Sequence, residues 1–329
     1  MTLNLPGSIQ TSFLEQIKLR ISANLSLADE LAEVLNLSRD SAYRRIRGET
    51  VLSLDEVKTL CNRYGISLDA LLSPTSEMIS FRHQAVDHSS FTFEHWLKSM
   101  LEKLEMIAAF PEKEKEIVYY AKDMPVFYYF TMPELSAFKM FFWMKTALNY
   151  PEYQKEKFRP EIIPKEYIAI GKRIWSKYSE LFSTELWSDE TLNVTLKQVE
   201  YYLECGYFLD PKDPELILDQ FAELVENARK MATAGFKDEK GKLNIYKNEI
   251  LIAENTILFK MGDKRVSFLT HNIGDILITS DEVFCRTTEQ FFNNLINKAI
   301  LISTTGEKER SKFFNQLDEK IRAIKQRIL

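Results

Sequence analysis

The sequence predicts a mainly α protein in three parts: an N-terminal domain of five short helices, a central helical bundle or short α-solenoid, and a C-terminal α+β segment with an antiparallel meander. Three observations predict it. Residues 12–72 hold short runs closed by helix caps. Residues 93–235 repeat apolar side chains at helical spacing. Residues 249–280 carry β-favouring runs separated by tight turns. At 329 residues, with 45% hydrophobic residues and only ten Gly and ten Pro, the chain is long enough for two or three folded domains. The expected boundaries are 1–75 for the first domain, 76–92 for a linker, 93–240 for the helical domain and 241–329 for the α+β region packed with it.

In the first domain, Ser12 and Glu15 have capping-box spacing, with Phe13, Ile17 and Ile21 every fourth residue behind. Ser26 is placed to cap a helix carrying Leu27, Leu31, Ala32 and Leu35. Asp29 and Glu30 fall in its first turn, where the helix dipole favours negative charge. Asn36 suits a left-handed stop. Ser38 then caps a second short helix over residues 39–47, with Ala42 and Ile46 inward and Gly48 at its end. Ser53 and Glu56 form another capping box, ahead of Leu54, Val57, Leu60 and Cys61. Gly65 closes that helix, and a short last helix is expected to follow to Leu72.

This segment resembles the Cro/CI-type (lambda-repressor-like, XRE) helix-turn-helix family of transcription regulators. The resemblance rests on Leu31-Ala32, Asn36, Leu37, Ser38 and Gly48, and on five helices in the family's order over residues 12–72. It covers under a fifth of the chain. Ala28 stands where many members have Gln, and Arg45-Ile46 stand where many have an apolar residue and then Glu. The resemblance implies double-stranded DNA as partner, with a pseudo-palindromic operator bound by a homodimer. Carried over by position, Arg39, Asp40, Tyr43 and Arg44 are base-reading candidates. Ser38, Arg45, Arg47 and Thr50 are phosphate-contact candidates. Arginine suits both tasks, because its planar fork matches guanine edges and phosphate oxygens. Residues 1–80 hold eight Lys/Arg and ten Asp/Glu, so affinity must come from a local patch rather than domain charge. A protein-interaction scaffold, with a helix-turn-helix that binds no DNA, is the alternative.

Beyond it, a strand is expected near residues 78–81. Helices are then expected from Phe93, from Glu112 to about Lys122, behind Pro133, behind Pro164, from Ser188 to near Gly206, and from Asp213 to Gly235. Lys237 to Lys242 reads as a polar loop. Strands are expected at 250–252, 256–261, 266–269, 276–278 and 299–303, with helices over 282–297 and 307–328. Phe314, Leu317, Ile321, Ile324 and Ile328 have coiled-coil spacing, which serves either packing onto the same chain or a dimer contact.

The aromatic residues around 119–143 are the other concentration of chemistry. Tyr119, Tyr120, Tyr128, Tyr129 and Trp143 are candidates for a pocket holding a small-molecule or peptide effector, with ordinary core as the bland reading. His83, Asp87, His88, Glu94 and His95 crowd together without a familiar metal spacing, so no metal is expected. No P-loop, GxGxxG, GxSxG or HExxH is present. Neither catalysis nor a cofactor is expected. Three dispersed cysteines, a net charge of −5 and a most apolar stretch, 117–148, interrupted by Lys122, Asp123, Glu134, Lys139 and Lys145 suit a cytoplasmic protein with no membrane partner.

Overall fold

The computed structural model describes residues 8–18, 21, 25–66, 68, 79–84, 86–87, 91–238, 240–251, 254–272 and 275–328. The chain divides into two compact units, Met1–Ser80 and Phe81–Leu329. The first contains α1 (Ile9–Lys18), α2 (Leu27–Val34), α3 (Arg39–Ile46) and α4 (Leu54–Tyr64). Its core gathers Phe13, Leu14, Ile17, Leu31, Ala42, Leu52, Leu60 and Ile66. Asn36 adopts φ 52° and Gly65 φ 62°, so both helix stops are left-handed as their residue types suggest. The Ser53–Glu56 capping box has both of its hydrogen bonds. Ser12 lies inside α1 rather than capping it. The expected helix after Gly65 falls mostly outside the described residues, as does the expected domain end at residues 73–76.

The second unit corrects the expected fold class. It is neither all-α nor a helical bundle with a small antiparallel meander. A nine-stranded mixed sheet runs through it. Its strands are β1 (Arg82–Gln84), β2 (Lys115–Tyr120), β3 (Ser183–Trp187), β4 (Phe236–Lys237), β5 (Gly241–Lys247), β6 (Thr256–Met261), β7 (Lys264–Asn272), β8 (Asp275–Thr279) and β9 (Ile300–Leu301). The order is β1-β8-β7-β6-β2-β3-β5-β4, with β9 also on β5. The pairs β2–β3 and β3–β5 are parallel; the other pairs are antiparallel. The expected meander is real as β6–β8, but it is one flank of a larger sheet.

Parallel neighbours require long crossovers, and the helices supply them. Between β2 and β3 lie α6 (Val126–Tyr129), α7 (Pro133–Phe142) with a π turn at Trp143–Ala147, and α8 (Lys165–Ser179). Between β3 and β5 lie α9 (Asn193–Glu204) and α10 (Asp213–Ala234). With α5 (Phe93–Ala108) and the final helix α12 (Glu307–Ile328), they cover one face of the sheet in the main core. The other face packs Val118, Tyr120, Leu186 and Leu258 against Cys285, Phe292 and Leu295 of α11 (Glu282–Ile296).

The missed strands have a physical explanation. All five residues of β3 are buried, and so are the last four of β2. A strand covered on both faces loses the polar/apolar alternation that marks a half-exposed one. The segment 112–122 therefore read as helix. Lys237 and Gly241 read as a polar loop, yet Lys237 is fully buried and Gly241 starts a central strand. A Cβ at Gly241 would lie 2.4 Å from the Leu181 carbonyl oxygen, so glycine is needed for the strand to approach that close. Residues 250 and 251 are not in a strand. On α12, Phe314, Leu317 and Ile321 are buried in their own chain's core and Ile324 packs against it.

Candidate functional site

The α2–turn–α3 pair is held by local chemistry. The Ser38 hydroxyl accepts from the Ser41 amide at 3.2 Å and caps α3. Ala42 and Leu31 are fully buried between the helices. A side chain outside the pair locks it from behind: the Gln10 amide donates to the carbonyls of Arg45 and Thr50, at 2.8 and 2.9 Å, and accepts from the Leu52 amide. Ser38, Arg39, Asp40, Tyr43, Arg44 and Arg47 are exposed, while Arg45 and Thr50 are half-buried.

Each arginine of this segment meets a carboxylate. Arg39 pairs with Asp29 at 2.8 Å, Arg44 with Asp40 at 3.2 Å and Arg47 with Glu49 at 2.7 Å, all exposed. The Arg47 hydrogen bond lowers the Glu49 pKa and raises that of Arg47. Arg45 differs. It forms a fork on Glu56, at 2.7 Å from Nη2 to Oε1, with 14% of its side chain exposed. Burial works to raise the Glu56 pKa, but hydrogen bonds from Arg45 and Ser53 outweigh it and hold the carboxyl low. The structure thus places Arg45 as a brace between α3 and α4, and Arg39, Asp40, Tyr43, Arg44 and Arg47 on the outward side.

Residues 17–71 match the helix-turn-helix family. This segment is a helix-turn-helix domain. Neither curated proteins nor solved structures gave a match. The match to the helix-turn-helix domain supports a DNA-binding transcription regulator at the general level. No helix among the described residues is long and apolar enough to cross a membrane.

The second unit holds a cavity of about 430 Å³. Phe93, Trp96, Met100 and Leu104 of α5 form one wall, and Tyr119, Ile257, Phe259 and Phe268 of the sheet form the opposite one. Lys122, Asp123, Glu254, Asn255, His271 and Asp275 add polar groups. Of the candidates, Tyr119, Tyr129 and Trp143 line it; Tyr120 and Tyr128 do not. Side chains alternate across a strand, so Tyr120 faces the opposite core, where its hydroxyl donates to the Ile250 carbonyl at 2.8 Å. Tyr128 points its hydroxyl to Glu185 at 3.2 Å.

Beside the cavity sits a buried charge pair. Lys139 is 1% exposed, with Nζ 3.6 Å from Asp123, 3.0 Å from Thr195 Oγ1 and 2.7 Å from Gln198 Oε1. It also lies over the Tyr129 ring, 4.4 Å from its centre. Burial lowers the Lys139 pKa and raises that of Asp123, and the pair's mutual attraction opposes both shifts. Tyr129 joins it, meeting Asp123 at 3.1 Å and Thr195 at 2.7 Å. The α5 and β6–β7 wall residues were not legible as a site, because only tertiary packing brings them to the aromatic segment, as where Trp96 meets Trp143 with ring centres 5.7 Å apart. Lys139 gave no signal beyond being one lysine in an apolar run.

Proposed function

We propose that this chain is a sequence-specific DNA-binding transcription regulator that acts as a homodimer, with a small-molecule or peptide effector bound in the cavity of the second unit. The carrying observation is the outward face of α3. It presents Arg39, Tyr43, Arg44 and Arg47 from a capped helix inside a matched helix-turn-helix domain. So small a module offers limited contact area, and a two-fold dimer on a pseudo-palindromic operator is the natural way to double it. The aromatic walls and convergent polar groups of the cavity suit a ligand site. An effector there would act by binding one dimer geometry better than another. We assign the chain no catalytic step.

The test is selection of bound DNA from a random pool with the full chain, followed by sedimentation with and without the selected sequence. A palindromic enriched site, bound by two chains, supports the reading. A non-palindromic site bound by a monomer removes the dimer. No enrichment would leave a protein-interaction scaffold as the better description.

A further inference from the structure

Each carboxylate and each lysine that lines the cavity already has a partner within the chain. Asp123 faces Lys139 at 3.6 Å, and Lys122 faces Glu254 at 3.9 Å. Asp275 accepts from the Val86 amide at 3.3 Å and faces the His83 ring at 3.5 Å. Lys103 donates to Ser99, one turn back on α5. Two neutral donors of the lining are committed in the same way. The Thr270 hydroxyl donates to the Asn255 carbonyl at 3.2 Å, and Asn272 Nδ2 donates to Asp275 at 3.4 Å.

Two lining side chains differ. Gln198 of α9 is only 7% exposed, and its Oε1 accepts from Lys139 Nζ at 2.7 Å. A lysine can only donate, so this bond fixes which end of the amide is oxygen and leaves Nε2 as a donor. Asn255, half-buried just before β6, is fixed in the same manner. Its Oδ1 accepts from the backbone amides of Lys122 and Asp123 at 2.8 and 3.3 Å, so its Nδ2 is the free end. Among the described residues neither Nε2 of Gln198 nor Nδ2 of Asn255 has an acceptor. Both amides are tied to Asp123, one through the Asp123 backbone amide and the other through Lys139.

An apolar cavity with two uncommitted N–H donors and no uncountered charge is complementary to one kind of molecule. Phe93, Trp96, Phe259 and Phe268 offer ring faces and edges to an apolar body. A donor buried without an acceptor costs free energy, which a bound acceptor offsets. A charged ligand would lose its hydration without meeting an uncountered opposite charge. We infer that the cavity takes an uncharged, mainly apolar small molecule with a carbonyl-type acceptor, such as a ketone, ester or amide, its oxygen held by Gln198 and Asn255. This inference rests on the reading of the cavity as a ligand site.

The experiment uses the full chain, with the uncharged dye N-phenyl-1-naphthylamine as a fluorescent reporter of the cavity. Three competitors share one naphthalene ring. 2-Acetylnaphthalene carries a ketone, 2-ethylnaphthalene has no acceptor, and 2-naphthoate is anionic at neutral pH. The quantity read is the ratio of ketone to hydrocarbon affinity, compared between the unaltered chain and its variants, so that the shared ring and the hydration of the ketone cancel. Gln198→Glu and Asn255→Asp each keep the oxygen already in use and replace the N–H donor by an acceptor. Each should lower the ratio severalfold, the size of one net hydrogen bond. Asn272→Asp adds the same charge at an exposed lining position whose donor is already committed, and should leave the ratio unchanged. In the unaltered chain 2-naphthoate should displace the reporter only at higher concentration than the ketone. If the reporter binds saturably, one per chain, and the ratio survives both changes, the acceptor class is overturned while the cavity reading stands. An equal fall in all three variants, or tighter binding of 2-naphthoate than of the ketone, overturns it as well. If the reporter does not bind saturably, the cavity reading fails and this inference with it. Should Gln198→Glu not fold by circular dichroism, Asn255→Asp decides alone, and an unchanged ratio there overturns the inference.

Discussion

Arg45 and Glu56 face each other across the junction of α3 and α4, with Nη2 2.7 Å from Oε1 and Nε donating to both carboxylate oxygens. Glu56 also closes the capping box of α4 by accepting from the Ser53 amide at 2.8 Å. One carboxylate thus anchors the base of the helix-turn-helix domain and the start of the following helix. Arg45→Ala should destabilise that junction by about 2 kcal/mol, between the values for exposed and buried pairs. Arg45→Lys should recover less than half, because a lysine cannot form the fork. Amide hydrogen exchange in α3 and α4 reads this directly. Unchanged protection in Arg45→Ala would show that Gln10 alone holds the junction.

The exposed arginines should behave differently. Arg39→Ala or Arg44→Ala should weaken specific DNA binding by about 1–3 kcal/mol and relax preference at one base position. Arg47→Ala should weaken all sequences alike and flatten the salt slope by about one unit. Folding should be intact in all three, since each pair is exposed. Operator binding unaffected by all three changes would rule out this face.

The ion pairs make a further prediction. Asp40 holds Arg44, so DNA must share or displace that carboxylate. Asp40→Asn should tighten non-specific DNA binding by severalfold, while specific binding gains less if Asp40 also faces bases. Competition between operator and random duplex at two salt concentrations measures both. Equal or weaker non-specific binding would mean that Asp40 does not restrain Arg44.

What the sequence made legible follows from where each signal lives. Caps, left-handed stops and short apolar stripes are local, so Ser38, Asn36, Gly65 and the Ser53–Glu56 box could be read directly. The sheet could not be read in the same way. Glu185 sits in the middle of β3, where a charge normally argues against a central strand; Ser183 and Trp187 flank it on the same strand, but only the fold brings the Tyr128 and Tyr178 hydroxyls to it. Likewise Tyr119 and Tyr120 are neighbours in sequence but face opposite cores. Distinguishing them required knowing that the segment is a strand.

Glu185 is fully buried and accepts from Tyr178 at 2.6 Å, Ser183 and Trp187 at 2.9 Å, and Tyr128 at 3.2 Å. Glu185→Gln replaces an acceptor-only group by one that must also donate, facing a set of donors. It should cost roughly 3–5 kcal/mol of unfolding free energy. Tyr128→Phe removes only the longest of these bonds and should cost about 1 kcal/mol. Because Tyr128 does not line the cavity, binding of an uncharged fluorescent probe, N-phenyl-1-naphthylamine, should be unchanged in Tyr128→Phe. Denaturant unfolding together with probe titration separates the two. Loss of probe binding in a folded Tyr128→Phe would place that residue in the ligand site after all.

Next to this cluster, Lys237 is fully buried, with Nζ donating to the Leu181 carbonyl at 2.7 Å and to Ser183 Oγ at 2.6 Å. Burial pushes its pKa down to about 8, against the smaller opposing pull of Glu185 and Asp238. The sign of the pH effect follows. Below pH 8 the lysine is protonated in both the folded and the unfolded chain, and the full cost of burying the charge is present. As pH rises from about 8 toward 10.5, the folded chain releases the proton first, the unfolded chain holds more protons, and stability increases. The rise is at most about 1.4 kcal/mol per pH unit for one group. Burial also raises the pKa values of Tyr128 and Tyr178 well above 10, so stability should fall again once the unfolded tyrosines ionise. All four tryptophans belong to residues 81–329, so their fluorescence reports unfolding of this unit. Denaturant titrations between pH 7 and 10 should show a steeper rise above pH 8 in the unaltered protein than in Lys237→Met. Parallel curves for the two proteins would show that Lys237 keeps an ordinary pKa in its buried setting.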